Sequence, residues 1–103
     1  MAARIPIDRS RIVEFCRRWS IAEFSLFGSV LREDFRPDSD VDVLVEFAPA
    51  AHWTLLDLAE MREALEAILG RKVDLLTRRG VMQSRNPLRR EAILSSAEVV
   101  YES

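Results

Sequence analysis

Two aspartates two positions apart, Asp40 and Asp42, are the residues whose types and spacing point most directly to chemistry. They stand at the start of a run, Val41–Phe47, that alternates as a strand does. In a strand, residues i and i+2 project from the same face, with their α-carbons about 6.6 Å apart. Two carboxylates at that range repel each other by roughly 2–3 kcal/mol at an effective dielectric constant of ~20. Because Mg²⁺ is often held by one or two carboxylates together with phosphate oxygens, the pair predicts a divalent-metal site.

A glycine and a serine precede this pair and suit the binding of phosphate. Gly28 can adopt backbone conformations closed to other residues and lets a ligand approach the main chain. Ser29 adds a hydroxyl where a short helix is predicted over residues 29–35, and the N–H groups at a helix start bind anions. A phosphate-binding turn followed by a cation site fits a nucleoside triphosphate with its Mg²⁺.

The segment from residue 28 to residue 42, GSVLREDFRPDSDVD, resembles a known signature. Gly-Ser, ten intervening residues and then Asp-Val-Asp is similar to the signature of the DNA polymerase β-type nucleotidyltransferase superfamily. The longer pattern, on a chain of 103 residues, resembles the minimal nucleotidyltransferase (MNT) proteins. That family consists of antitoxins paired with HEPN-domain ribonuclease toxins. The resemblance covers nearly the whole chain.

A further aspartate, Asp74, interrupts the predicted apolar strand Lys72–Leu76. A carboxylate within an apolar run is costly to bury unless a partner satisfies it. From the residues alone two readings stay open: a neighbour of Asp40 and Asp42 if the two strands pair, or an edge-strand aspartate that faces water. The family resemblance implies the first reading, with Asp74 as a third metal-site carboxylate.

The resemblance also assigns roles to the residues of the signature. It implies that Gly28 and Ser29 hold a triphosphate and that Asp40 and Asp42 bridge two Mg²⁺ ions to its oxygens. Arg32 lies one helical turn beyond the glycine, where a phosphate contact and a plain surface charge are equally good interpretations. For Arg36 (a weaker candidate) a surface charge is favoured.

The elements that position these residues follow from periodicity, caps and turn residues. Four helices and four strands are predicted in strict alternation, which gives an α/β (α+β) fold with a small mixed sheet and helices mainly on one face. The strand from Val41 is expected to be central because Leu44 makes its second face partly apolar. Arg78 and Arg79 are interpreted as loop charges. The predicted helices span residues 8 or 10 to 19, 29–35, 54–70 and 87–95, and the strands 22–27, 41–47, 72–76 and 98–102.

Length and composition set the remaining limits. A chain of 103 residues predicts one domain, residues 1–103. The net charge of −2 and the pI of about 5.4 argue against general affinity for nucleic acid. No apolar run is long enough to cross a membrane and the N-terminus lacks a signal peptide. The lone Cys16 is typical of a reducing cytoplasm and is predicted to pack in the core. His52 has no spaced zinc-ligand partners and is interpreted as a loop residue.

Two functions from different classes remain. The resemblance implies an ATP- and Mg²⁺-dependent protein adenylyltransferase, an antitoxin that transfers AMP to a tyrosine of a HEPN toxin and releases pyrophosphate. The alternative is a binding module that neutralises the toxin by occlusion alone. Transfer to a small molecule or an RNA end is a third, less favoured possibility. The three aspartates together with Gly28 and Ser29 favour the enzyme.

Overall fold

Residues 8–28 and 40–102, the part of the chain that this computed structural model describes, form four helices and four strands. The elements in chain order are α1 Arg9–Arg18, β1 Ile21–Phe27, β2 Val41–Phe47, α2 Leu55–Leu69, β3 Val73–Thr77, α3 Arg78–Met82, α4 Pro87–Ser96 and β4 Glu98–Glu102. Every strand lies within one residue of its predicted bounds at each end. The helix predicted over residues 29–35 lies outside the described residues.

Local capping fixes the ends of the long crossover helix α2. The Thr54 hydroxyl accepts from the Asp57 backbone N–H at 3.2 Å, and the Asp57 carboxylate accepts from the Thr54 N–H at 2.8 Å, so the predicted capping box is confirmed. Gly70 ends the helix at φ +68°, in the left-handed region that glycine adopts readily. These two ends set where the chain enters β3.

The four strands form one mixed sheet in the order β3-β2-β1-β4. Strand β2 runs antiparallel to β1 and parallel to β3, and β4 runs antiparallel to β1. The prediction that β2 is central is therefore confirmed. Because parallel neighbours need a crossover connection, α2 carries the chain from one end of β2 back to the start of β3.

Helices cover the two faces of the sheet unequally. Helices α1 and α2 close over the main core, which includes Phe24, Val43 and Leu65. The alternate residues of β2 and β3 build a smaller cluster on the other face, where Leu44 meets α3 and Ile93 of α4. The predicted mixed sheet covered by helices is confirmed: α1 and α2 cover the main core face, and α3 and α4 shield the second face because it is partly apolar. No described helix is both long and apolar enough to cross a bilayer.

Candidate nucleotide and metal site

Two of the three predicted carboxylates sit side by side at the start of the parallel strand pair. Asp42 of β2 and Asp74 of β3 are register partners. Neighbouring strands lie about 4.8 Å apart, and partners in register project from the same face of the sheet. Asp40 comes directly before β2, two residues from Asp42, and is exposed. The backbone therefore brings Asp74 beside Asp42, as the first of the two interpretations requires. Asp74 is also exposed on the edge strand β3, as the second interpretation requires, and its role as a metal ligand stays a prediction.

Gly28 lies against Asp42 at the end of the neighbouring strand β1. Phe27, the last residue of β1, pairs with Asp42, and the chain then turns at Gly28 with φ +75°. A Cβ atom added to Gly28 would overlap the Asp42 carboxylate oxygen Oδ2 and lie 3.2 Å from its Cγ. The absence of a side chain at residue 28 thus leaves the space that the Asp42 carboxylate occupies. Sequence reasoning assigned this glycine to phosphate, and the structure adds a packing requirement.

The donor chemistry of the site suits a hard cation, although the side chains are not gathered around one point. Carboxylate oxygens are the ligands that Mg²⁺ prefers, and Asp42 and Asp74 present them from adjacent strands. Within residues 8–28 and 40–102, however, no three Asp, Glu, His or Cys side chains approach closely enough to hold a metal ion together. The backbone register fits a metal site, and the carboxylates would have to turn toward a common point to complete it.

Three residues predicted to contact phosphate lie outside the described residues. Ser29, Arg32 and Arg36 all lie in the segment 29–39, outside the described residues. Their predicted roles stay predictions.

Charged residues at the other end of the same sheet face escaped sequence reasoning. Glu23 of β1 and Glu46 of β2 are cross-strand partners. Arg78 lies over both, with Nε 3.2 Å from Glu46 Oε2 and NH1 3.9 Å from Glu23 Oε1. The interpretation of Arg78 and Arg79 as loop charges was wrong, since both belong to α3, capped by the Thr77 hydroxyl on the Gly80 N–H at 3.0 Å. Arg78 offsets the repulsion between two like charges placed directly opposite each other.

The remaining candidates take structural roles. Cys16 is fully buried in the main core, and its burial raises the pKa of the thiol to about 12, so the core prediction is confirmed. His52 lies in the loop between β2 and α2, as predicted. The adjacent Trp53 donates its indole N–H to the Trp19 carbonyl at 3.0 Å and packs edge-on against the Trp19 ring. This contact ties the loop to α1.

Comparison with known proteins shows that the chain is similar to nucleotidyl-transferring enzymes. A model of the nucleotidyltransferase domain family matches residues 9–100. A Methanocaldococcus jannaschii protein, named as a candidate protein adenylyltransferase, is 34% identical over 89 residues, which cover 86% of this chain and 89% of that protein. The protein adenylyltransferase MntA of Thermococcus cleftensis is 43% identical over 63 residues, which cover 61% of this chain and 62% of that relative.

Solved structures show the same architecture. A candidate minimal nucleotidyltransferase is 39% identical and superposes with a TM-score of 0.67 over 87% of this chain and 86% of its own. A toxin–antitoxin complex with AMP-PNP gives a TM-score of 0.72 at 19% identity, over 94% of this chain and 75% of that one. A complex of the tri-AMPylated Shewanella oneidensis HEPN toxin with its MNT antitoxin gives 0.62 at 18% identity, over 92% and 70%. At such low identity the last two likenesses concern the fold alone.

Proposed function

Because this chain belongs to the nucleotidyltransferase domain family and is a nucleotidyltransferase by that membership, we propose that it is an antitoxin that adenylylates a HEPN ribonuclease toxin. It transfers AMP from ATP to a tyrosine of the toxin and acts in the cytoplasm. The observation that carries the proposal is the placement of Asp74 in register with Asp42, beside the turn at Gly28. Support comes from relatives named protein adenylyltransferase and from the family fold in complexes of HEPN toxins.

The reaction replaces one phosphorus–oxygen bond at the α-phosphorus of ATP with another. The tyrosine oxygen forms a bond to the α-phosphorus of ATP, the bond from that phosphorus to the oxygen bridging to the β-phosphate breaks, and pyrophosphate leaves. The tyrosine proton passes to a base or to water. Such a displacement needs the attacking and leaving oxygens in line and the charge on the phosphates neutralised.

Each residue of the site has one task in this proposal. Asp40, Asp42 and Asp74 would hold Mg²⁺, two ions in the arrangement that the family resemblance implies, and these ions would supply charge neutralisation at the phosphates. Gly28 leaves the space that the Asp42 carboxylate occupies and would let its backbone approach the triphosphate. Ser29 is assigned to the same phosphates. The parallel pairing of β2 and β3 orients two of the carboxylates from rigid backbone.

Neutralisation by binding alone is the second candidate, and one observation favours it. The three aspartate side chains do not gather at a common point within the described residues. A chain that only occludes the toxin has no need for that convergence. Transfer activity and toxin neutralisation must therefore be measured separately.

The test is incubation of the chain with labelled ATP, Mg²⁺ and the HEPN protein encoded beside it. We expect label on the toxin, reduced at least about 100-fold by Asp42→Asn or Asp74→Asn, since misplaced phosphates and metal ligands cost about that much or more. Glu46→Gln is the matched control: it removes a carboxylate from the same face of β2, four residues beyond Asp42, and should leave labelling near the wild-type level.

Protection of cells from the toxin separates the two candidates. On the enzymatic account, the aspartate variants lose protection in parallel with labelling, while thermal unfolding shows that they remain folded. If Asp42→Asn abolishes labelling yet protects cells as well as the wild type, neutralisation is by binding and the enzymatic account is wrong. Absence of label on the toxin with the wild-type chain would refute adenylylation itself.

A further inference from the structure

Strand β3 forms an open edge of the sheet. It lies at the end of the strand order, and among the described residues it pairs only with β2. The Val41 N–H donates to the Lys72 carbonyl at 2.9 Å, so Lys72 turns its backbone polar groups toward β2. The backbone groups of the next residue, Val73, point away from β2, and its N–H donates to the Glu66 carboxylate of α2 at 3.0 Å. By the alternation of a parallel ladder, Leu75 is the next outward residue.

The outward groups of Leu75 have no strand beside them in the described part of the chain. Glu66 protects only the first outward position, at Val73. Exposed edge strands usually carry proline, lysine or a bulge that blocks pairing with another chain. The rest of β3, with the sequence Leu-Leu-Thr after Asp74, has none of these. The edge therefore offers unblocked donors and acceptors to an incoming strand.

Two cavities run along this edge, one on each side of the strand. The cavity on the α4 side has a volume of about 340 Å³ and is lined by Leu75, Val81 and Ile93 among others. The cavity on the α2 side has a volume of about 220 Å³ and is lined by Leu58 and Leu75 among others. Since Leu58 and Leu75 line both, the cavities form one surface, here called the β3 edge groove.

The charge of the β3 edge groove is opposite to that of the whole chain. Its charged lining residues are Arg62 on the α2 side and Arg89 and Arg90 on the α4 side, and no carboxylate lines either cavity. None of the three arginines forms an ion pair with a described residue; Arg90 only donates to the Met82 carbonyl at 3.4 Å. Beyond the Glu66 carboxylate at Val73, a groove whose three arginines form no ion pair with a described residue is complementary to carboxylates, although the chain has a net charge of −2.

Two exposed leucines lie close in sequence to residues that line the groove. Leu88, next to Arg89, is 79% exposed, and Leu55, one turn before Leu58, is 84% exposed. Exposed leucines close to an apolar groove are compatible with contact with an apolar partner. They suit a protein segment better than a nucleic acid, whose backbone would meet the arginines but leave the leucines in water.

We propose that the β3 edge groove binds an extended segment of a partner protein as an added strand. The segment carries carboxylates among apolar side chains, so that its acids meet Arg62, Arg89 and Arg90. A second copy of this chain does not fit, because pairing two such edges would bring six arginines together. The proposal does not depend on nucleotidyl transfer, since none of the residues in the groove belongs to the site around Asp42.

Fluorescence anisotropy with the full chain tests the charge requirement. The probes are two labelled ten-residue peptides, one alternating leucine with glutamate and the other alternating leucine with lysine. We expect the glutamate peptide to bind at least tenfold more tightly. The double variant Arg89→Glu/Arg90→Glu should lower the affinity for the glutamate peptide at least tenfold. The control variant Arg11→Glu/Arg17→Glu makes the same charge change on the exposed side of α1 and should change this affinity less than twofold.

Backbone methylation of the peptide tests strand addition. A strand on an edge donates N–H groups from alternate residues only. One glutamate peptide is methylated at the backbone nitrogens of all its leucines and a second at those of all its glutamates. Only one of the two modifications removes the N–H groups that face β3, so one peptide should lose binding and the other should keep it. Equal effects in the two peptides, equal binding of the lysine peptide, insensitivity to the Arg89/Arg90 change, or tighter binding of a ten-nucleotide uridine RNA would each overturn the proposal.

Discussion

Replacement of Gly28 by alanine should damage the site far more than it damages the fold. Gly28 has φ +75°, a conformation that costs an L-residue roughly 1–2 kcal/mol. The new methyl group would also overlap Asp42 Oδ2 and lie 3.2 Å from Asp42 Cγ and 3.5 Å from its Cβ. The backbone has little freedom to relieve this overlap, because Phe27 is buried and paired with Asp42. The Asp42 carboxylate must therefore move.

The two consequences differ in size. Backbone strain alone lowers the free energy of unfolding by about 1–2 kcal/mol, and for a domain of this length each kcal/mol lowers the melting temperature by roughly 4–8 °C. A displacement of a reacting group by about 1 Å costs about 100-fold in rate. We therefore expect Gly28→Ala to remain folded at 25 °C and to label the HEPN toxin at least about 100-fold more slowly.

A matched control separates strain from displacement. Gly70 at the end of α2 has φ +68°, and a Cβ there would meet nothing within 4 Å. Gly70→Ala should lose about the same stability and keep wild-type labelling. Both variants are compared by thermal unfolding, by labelling of the toxin, and by calorimetric binding of a non-hydrolysable ATP analogue with Mg²⁺. If Gly28→Ala labels the toxin as fast as Gly70→Ala, the steric argument is refuted.

Two further predictions concern stability. Arg78→Ala should lower the free energy of unfolding by about 0.5–1 kcal/mol, because Glu23 and Glu46 lose the cation that they share. Arg79→Ala breaks no ion pair with a described residue and should leave the free energy of unfolding nearly unchanged. The difference should shrink in about 1 M NaCl, and a loss that salt leaves unchanged would contradict the electrostatic cause. Burial raises the pKa of the Cys16 thiol from 9.0 to about 12, so a thiol reagent at pH 8 should react only with unfolded chain; rapid labelling of the native protein would show that the thiol is accessible. The proton that the folded state retains stabilises it below pH 9, and this contribution is lost as the pH rises toward 12.

Much of the fold was predictable because local signals agreed with the pattern of apolar residues. The capping pair Thr54 and Asp57, the terminal Gly70 and the Asn86-Pro87 start fixed two helices by mechanisms that act within one turn. The alternation of Val41–Phe47 predicted the strand, and Leu44 on its second face predicted the central position. Signals of this kind need no knowledge of distant residues.

The features that escaped prediction depend on pairing between distant strands. The register that sets Glu23 opposite Glu46 appears in no local pattern, so the role of Arg78 as their shared cation was not foreseen. Helix α3 has only five residues, too few for a periodic signal, and is held by the Thr77 cap and by contacts with β2 and β3. For the same reason, the residues alone did not determine whether Asp74 lies beside Asp42. The register between β2 and β3 shows that it does.

The parallel pairing of β2 with β3 makes the proposed site depend on contacts between distant parts of the chain. Antiparallel neighbours such as β1 and β2 can meet early, but Asp42 and Asp74 become neighbours only after α2 has crossed the sheet and docked. A nascent chain on the ribosome, or a fragment that ends before β3, would carry the glycine turn and the first two aspartates without the third. With the three aspartates in the roles proposed above, such species would lack a metal ligand and transfer no AMP until β3 pairs with β2.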